Sequence, residues 1–236
     1  MKICVCLYGM VQRSLDQTLG NLNYHVFTDN CDLYVHTFDG TTAFANRDNG
    51  ETKPTTVNMD SVYTLNAKKC IIDSEKEFNA TFDFEQYEKY GDPFGNDFSS
   101  MRNLLRELYS VKKVYSLIDK SIDYDYVIMT RADLCFDRPL NTLKPNKYID
   151  TVMTSQFNRA PFNHNDFFAV GSNTRALEVW ANRLDYAHEF CLSPVLCHKG
   201  LHPESLITFC FEKFNVRHEF LDVKADRVRA DGKIVR

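Results

Sequence analysis

The segments Ile3 to Tyr8 and Tyr126 to Met129 are apolar at every position, and this constrains the fold more than any other feature of the chain. A strand with one face in water alternates apolar and polar residues, whereas a strand covered on both faces reads as a continuous apolar run. The first run is followed by a turn at Gly9, a helical stretch from Ser14 to about Leu22, and a second short strand from Cys31 to Thr37. Strand, helix and strand in that order open a βαβ unit and imply a parallel pair. The fold class expected is therefore α/β.

The polar stretch from Asp39 to about Thr56 reads as a loop. Between residues 57 and 98 the pattern supports a short strand from Lys69 to Ile72 and a turn at Tyr90 to Gly95. A long helix opens at Ser99, with Ser99 or Ser100 as N-cap. Met101, Leu104, Leu105, Leu108, Tyr115 and Ile118 fall near one of its faces, and Arg102, Arg106, Lys112 and Lys113 mostly outside it. Tyr126 to Met129 then takes the centre of the sheet, with Thr130-Arg131-Ala132-Asp133 at its carboxyl end. Strands are expected at Thr151 to Ser155 and Phe167 to Gly171. One helix should run from Asn173 or Thr174 to about Phe190, with Ala176, Leu177, Trp180 and Leu184 inward. Another should start with Pro203 at N1 and carry Leu206, Ile207, Cys210 and Phe214. No internal repeat or linker interrupts the 236 residues, so one domain is the simplest account.

A net charge of −4 argues against a general nucleic-acid binder, which normally shows a basic surplus. No apolar run approaches the length of a transmembrane helix. The N-terminal apolar run is too short for a signal peptide and lacks a small-residue cleavage site, so a cytosolic protein is expected. The eight cysteines then read as free thiols, several of them inside apolar segments. Cys197-His198 with His202 lacks a CxxC partner pair, which disfavours structural zinc.

Ligands of open α/β sheets bind beyond the carboxyl ends of parallel strands. Three polar clusters fall there: Gly9 to Arg13, His36 to Asp39, and Arg131 to Asp137. Gly9 allows a tight turn and close backbone approach, and Arg13 suits a bidentate clamp on phosphate. A glycine turn with a solvated arginine explains the same residues. No GxGxxG or Walker pattern is present, which disfavours dinucleotide binding and P-loop hydrolysis. Asp133, at the tip of a buried strand, suits one carboxylate of a Mg²⁺ or Mn²⁺ site, with Asp137 as second ligand or turn residue. On spacing alone, Arg131 and Asp133 equally suit a strand end paired with its neighbours. In His164-Asn165-Asp166, Asp166 is either a general base at a cleft rim or a turn residue. Of His198, His202 and Glu204, the last fits the first turn of a helix better than catalysis.

Taken in order, these pieces resemble viral and bacterial GT-A-type glycosyltransferases that act on nucleotide sugars. They are Tyr8 to Ser14, Asp32 to Thr37, Leu108 to Val114, Tyr124 to Leu134, Asn165 to Gly171, and Pro203-Glu204. The resemblance implies a Rossmann-like GT-A domain with a mixed, mainly parallel sheet flanked by helices. The nucleotide would lie over about residues 1–137 and the acceptor glycan over about residues 138–236. It also implies a DxD-like motif that holds Mn²⁺ or Mg²⁺ against the donor diphosphate. Here Arg131 stands where the first Asp is usual, leaving Asp133 as the metal-side carboxylate. Arg13 and Gly9 would meet the donor, and Asp166 would serve as the acceptor-side carboxylate. In an inverting reaction Asp166 would act as base; in a retaining one it need not. Another nucleotide-dependent transferase, or a carbohydrate-binding module that kept the fold without turnover, would show many of the same features.

Overall fold

Strand β1 (Ile3–Tyr8) passes through a 3-10 turn at Val11–Arg13 into helix α1 (Leu15–His25) and strand β2 (Asp32–Phe38). Two-residue strands β3 (Thr42–Ala43) and β4 (Thr55–Thr56) pair with each other, followed by α2 (Asp60–Thr64) and β5 (Lys69–Asp73). Helices α3 (Glu75–Thr81) and α4 (Glu85–Glu88) precede the long α5 (Ser99–Leu117). Strands β6 (Tyr126–Arg131), β7 (Leu134–Phe136), β8 (Val152–Ser155) and β9 (Phe168–Gly171) come next. Helices α6 (Glu178–Ala181), α7 (Leu184–Cys191) and α8 (Pro203–Lys213) lead to β10 (His218–Leu221), β11 (Ala225–Val228) and β12 (Ile234–Val235). The structure is a computed structural model that describes residues 1–40, 42–43, 55–157, 164–193 and 199–235. Most of the expected loop between Asp39 and Thr56, and the Cys197-His198 pair, lie outside the described residues.

The expected mixed, mainly parallel sheet forms, with strand order β10-β8-β9-β6-β1-β2-β5 and β6 at its centre. Only β9 among these strands runs against the others, pairing antiparallel with both β6 and β8. The apolar runs are buried on both faces, as their lack of alternation requires. Ile3, Val5, Leu7, Tyr126 and Ile128 pack into one core layer with Leu15 and Leu22 of α1. Cys4, Cys6, Tyr8, Val127 and Met129 pack into the opposite layer with Val111 and Val114 of α5. Cys4 and Cys6 thus act as small apolar side chains under a helix, and the seven cysteines among the described residues are free thiols. Among the described residues, no helix is long and apolar enough to cross a membrane.

Four expectations need correction. Neither Ser99 nor Ser100 caps α5. The cap position is Phe98, in the left-handed region at φ 60°. The first-turn N–H of Ser100 is met by Asn96 Oδ1 at 3.1 Å, and Asp92 holds the turn before the helix, accepting from the backbone N–H groups of Phe94 (3.0 Å), Asn96 (2.8 Å) and Phe98 (2.9 Å). The helix expected to run to Phe190 is divided between α6 and α7, because Arg183 folds back and donates from Nε to the carbonyl of Trp180 at 2.8 Å. That bond uses the carbonyl which a continuous helix would offer to the N–H of residue 184. Phe214 is exposed at the end of α8 rather than inward. The stretch from Asp39 to Thr56, expected as loop, contributes the paired strands β3 and β4. Beyond α8, β10 extends the main sheet, while β11 joins β7 and β12 in a second, three-stranded sheet.

Replacing Asp92 with Ala removes its bonds to the turn before α5 and should destabilise the protein by roughly 0.5–1.5 kcal/mol, the net worth of a hydrogen bond. Urea unfolding should show a lower midpoint at an unchanged m-value.

Candidate active site

Register decides which side chains meet at the carboxyl edge of the sheet. Tyr8 at the end of β1 lies opposite Arg131 at the end of β6. Because β9 runs the other way, its start lies at this same edge, with Phe168 paired to Thr130. The chain just before β9 therefore delivers Asp166 and Phe167 beside Arg131. Tyr8 ties the two together, donating its hydroxyl to the carbonyl of Phe167 at 3.2 Å.

The turn after β1 is held from several sides. Gly9 has φ +90°, a left-handed conformation that side chains rarely adopt, and its N–H donates to Ser110 Oγ at 2.7 Å. The N–H of Val11 donates to Thr37 Oγ1, which itself donates to Gln12 Oε1 at 2.7 Å. Gln12 Nε2 reaches the carbonyls of Phe38 and Gly40. His36 is fully buried rather than part of the cleft: its Nδ1 bonds Ser110 at 2.7 Å and its Nε2 bonds Asp73 at 3.1 Å. Burial lowers the His36 pKa, against the opposing pull of Asp73. Asp39 receives the N–H of Glu75 at the start of α3. The His36 to Asp39 cluster is thus structural, and it holds Gly9 to Arg13 in place.

Charge is concentrated where β6 ends. Arg131 donates from Nε to Asp133 Oδ1 at 2.8 Å and from Nη2 to Asp133 Oδ2 at 2.6 Å, and its Nη1 reaches Glu107 Oε2 at 3.1 Å. The side chains are 17% (Arg131), 7% (Asp133) and 18% (Glu107) exposed. Burial alone would raise the Asp133 carboxyl, but the charge and fork of Arg131, helped by Arg13 and Arg227, outweigh it and hold Asp133 below the ordinary carboxylate value. Glu107 moves the other way, raised by burial and by Asp133 against the pull of Arg131. Asp166 is pushed up to about 7 by burial, then by Glu204 and Glu107, against Arg131 and Arg183. Burial, with Glu107 beside it, raises the Tyr8 phenol well above its usual value and keeps it protonated.

Of the residues singled out in the sequence, Gly9, Arg13, Arg131, Asp133 and Asp166 converge on this edge. Asp137 does not. It lies beyond the far end of β7, about 13 Å along an extended strand from Asp133, where its N–H donates to the Lys224 carbonyl and its Oδ1 accepts from the Lys224 N–H at 2.7 Å. His202 pairs with Glu204 at 3.0 Å, and Glu204 lies in the first turn of α8, as expected, yet acts on Asp166. Glu107, Arg183 and Arg227 were not foreseen. Glu107 carried a readable signal, since it falls at helical spacing among Leu104, Leu108 and Val111 on the apolar stripe of α5. Arg183 is 1% exposed, with its guanidinium 3.8 Å from the Trp180 ring centroid. Arg227 lies over Phe167 at 5.1 Å.

The two carboxylates expected to hold Mn²⁺ or Mg²⁺ are not brought together. Both oxygens of Asp133 already accept from one guanidinium, and Asp137 is remote. Among the described residues, no three His, Cys, Asp or Glu side chains group as metal ligands.

No family model and no curated protein matches the chain. Among solved structures it is similar to mouse xyloside xylosyltransferase 1 in its apo form, at 12% identity and a TM-score of 0.43, covering 94% of this chain and 85% of that one. It is also similar to the apo form of the glycosyltransferase GlyE of Streptococcus pneumoniae TIGR4, at 9% identity and a TM-score of 0.44. There 93% of this chain covers 44% of the other. A second GlyE crystal structure gives 9% identity, a TM-score of 0.46, and coverage of 94% and 46%. The chain thus spans less than half the length of the GlyE chains. Likeness of this order assigns no activity.

Removing one partner of a buried ion pair leaves an uncompensated charge, whereas removing both need not. Arg131→Met should therefore cost about 3–5 kcal/mol, and Arg131→Met with Asp133→Leu distinctly less than the sum of the single changes. Denaturant unfolding of the four proteins in that cycle measures the coupling; additive losses would show that the pair is not energetically linked.

Proposed function

We propose that this chain is a glycosyltransferase that moves a sugar from a nucleoside-diphosphate sugar to a hydroxyl of a glycan acceptor. One observation carries the reading: Arg13, Arg131 and Arg227 act on the same carboxylate, Asp133, at the sheet edge where Asp166 also sits. In this reading the nucleotide lies over about residues 1–137 and the acceptor over about residues 138–236, with Arg227 of the second half meeting the diphosphate between them.

The chemistry follows from where charge develops. The bond between the anomeric carbon and the diphosphate oxygen breaks, and its electron pair leaves with the diphosphate. Guanidinium groups fixed beforehand stabilise that charge without reorganising during the step. The acceptor oxygen forms the new bond to the anomeric carbon, and its proton passes to the Asp166 carboxylate. A carboxyl pushed up to about 7 suits that task, because it is both substantially ionised near neutrality and basic enough to take a proton. A single displacement of this kind inverts the anomeric configuration. Glu107 and Asp133 touch neither sugar nor acceptor in this scheme; they position Arg131.

Incubation with UDP-, GDP-, dTDP- and ADP-sugars should release nucleoside diphosphate from one donor class, slowly without acceptor and faster with it. Because the base must be ionised, turnover should rise with pH and level off above about 7. Asp166→Asn should remove that limb and lower turnover by roughly 10²–10⁴-fold, the usual share of general-base catalysis, while donor binding changes little. No release from any donor, together with no rise in melting temperature with any nucleotide, would overturn the reading. Unchanged turnover in Asp166→Asn would remove that residue from the mechanism.

A further inference from the structure

At the carboxyl edge of the sheet, guanidinium groups surround the carboxylate that a divalent ion would need. Divalent ions such as Mg²⁺ and Mn²⁺ need oxygen ligands with lone pairs directed at the ion and no competing cation within the shell. Asp133 offers the reverse, with its two oxygens each bonded by the Arg131 fork. Arg13 and Arg227 also direct their fields at Asp133, so an ion placed against it would meet three guanidinium groups.

Arg227 is placed beside this carboxylate by the backbone, because it pairs in register with Leu134, the residue after Asp133. It is partly buried, makes no ion pair among the described residues, and rests over the ring of Phe167 at 5.1 Å. Burial and then the neighbouring Arg131 charge disfavour its protonated form, against the pull of Asp133, Asp166 and Glu107. Two guanidinium groups close enough to repel each other are stabilised by an anion between them. A planar fork matches phosphate oxygens two at a time, and stacking on an aromatic ring fixes its plane.

We propose that Arg131 and Arg227, with Arg13, supply the counter-charge to the departing diphosphate that a divalent ion would otherwise supply, so that donor binding and transfer require no metal. The inference rests on the transferase reading and assigns its donor side. The balance of the step is unchanged: the electron pair of the broken bond stays on the diphosphate oxygen, beside the arginines, and the acceptor proton goes to Asp166. Glu107 and Asp133 hold Arg131 in the plane that presents it.

Calorimetry on the full chain with UDP, GDP, dTDP and ADP, in EDTA and then in MnCl₂, tests the proposal, with electron paramagnetic resonance reporting free Mn²⁺ in the presence of protein alone. At least one nucleotide should bind with a dissociation constant that differs by less than about threefold between the two conditions, and the protein alone should take up no Mn²⁺. Arg227→Ala should weaken that nucleotide by roughly 10- to 100-fold, the worth of a hydrogen bond between charged groups, with an unchanged melting temperature in the absence of nucleotide. Arg227→Lys should recover only part of the loss. Binding seen only with Mn²⁺, Mn²⁺ uptake that Asp133→Asn abolishes, or unaltered binding in Arg227→Ala would each overturn the proposal while leaving the transferase reading in place. Binding of no nucleotide under either condition would overturn both.

Discussion

The fork between Arg131 and Asp133 is the interaction on which the rest of the cleft depends. Isolated carboxylates withdrawn from water shift toward the neutral form or destabilise the fold, and here Asp133 acts on Glu107 while Glu107 and Glu204 act on Asp166. One guanidinium bonded to Asp133 on one side and Glu107 on the other makes their burial tolerable. Its effect is also selective. Asp133, bonded along both oxygens, is held ionised, while Asp166, which feels the same charge but is also pressed by burial, Glu204 and Glu107, is pushed up to about 7. Two carboxylates whose proton affinities are driven apart within one edge of a sheet are a recurring feature of acid–base sites.

Backbone geometry brings these groups together before any side chain contributes. The pairing of β1 with β6 aligns Tyr8 with Arg131, and the reversed β9 delivers Asp166 to the same edge from a distant part of the chain. Helix α5 then fixes both sides at once. Glu107 and Ser110 are neighbours one turn apart on its inner face; the first bonds Arg131 and the second receives Gly9. The position of α5 along its own axis therefore couples the turn after β1 to the end of β6. Asp92, gathering three backbone N–H groups at the helix entry, has its structural meaning in that coupling.

The elements that could be read from sequence were those whose burial is uniform or strongly periodic. Strands β1 and β6 announce themselves as apolar runs, and α5 by its stripe from Met101 to Tyr115. Gly9, Arg131 and Asp133 could be picked out because they directly follow or end such strands. What escaped depends on pairing partners far away in sequence. Strands β7, β11 and β12 are only two to four residues long, and they exist because they pair with one another; nothing in Arg227-Val228-Arg229 alone identifies its partner. The break between α6 and α7 lies in a bond from Arg183 to a nearby carbonyl, which propensity does not register. Asp137 was misplaced for a related reason. Four residues are one helical turn but a long reach in an extended strand, and β7 is extended.

Sharing one arginine between the two halves of the cleft has a chemical consequence under the proposed reaction. Arg131 is among the charges that pull the Asp166 carboxyl down, while burial, Glu204 and Glu107 push it up. A diphosphate seated against Arg131 would offset part of that positive field, and the proton affinity of Asp166 would rise. The acceptor-side base would then be strongest when the donor is in place and weaker in the empty cleft, without any movement of the backbone. Arg183 limits the effect. It is buried over Trp180, away from solvent and from exchange with ligands, and its pull on Asp166 persists whatever occupies the cleft. One arginine at the cleft whose field a ligand can offset, and one beneath it whose field stays constant, divide the control of Asp166 between the donor and the fold.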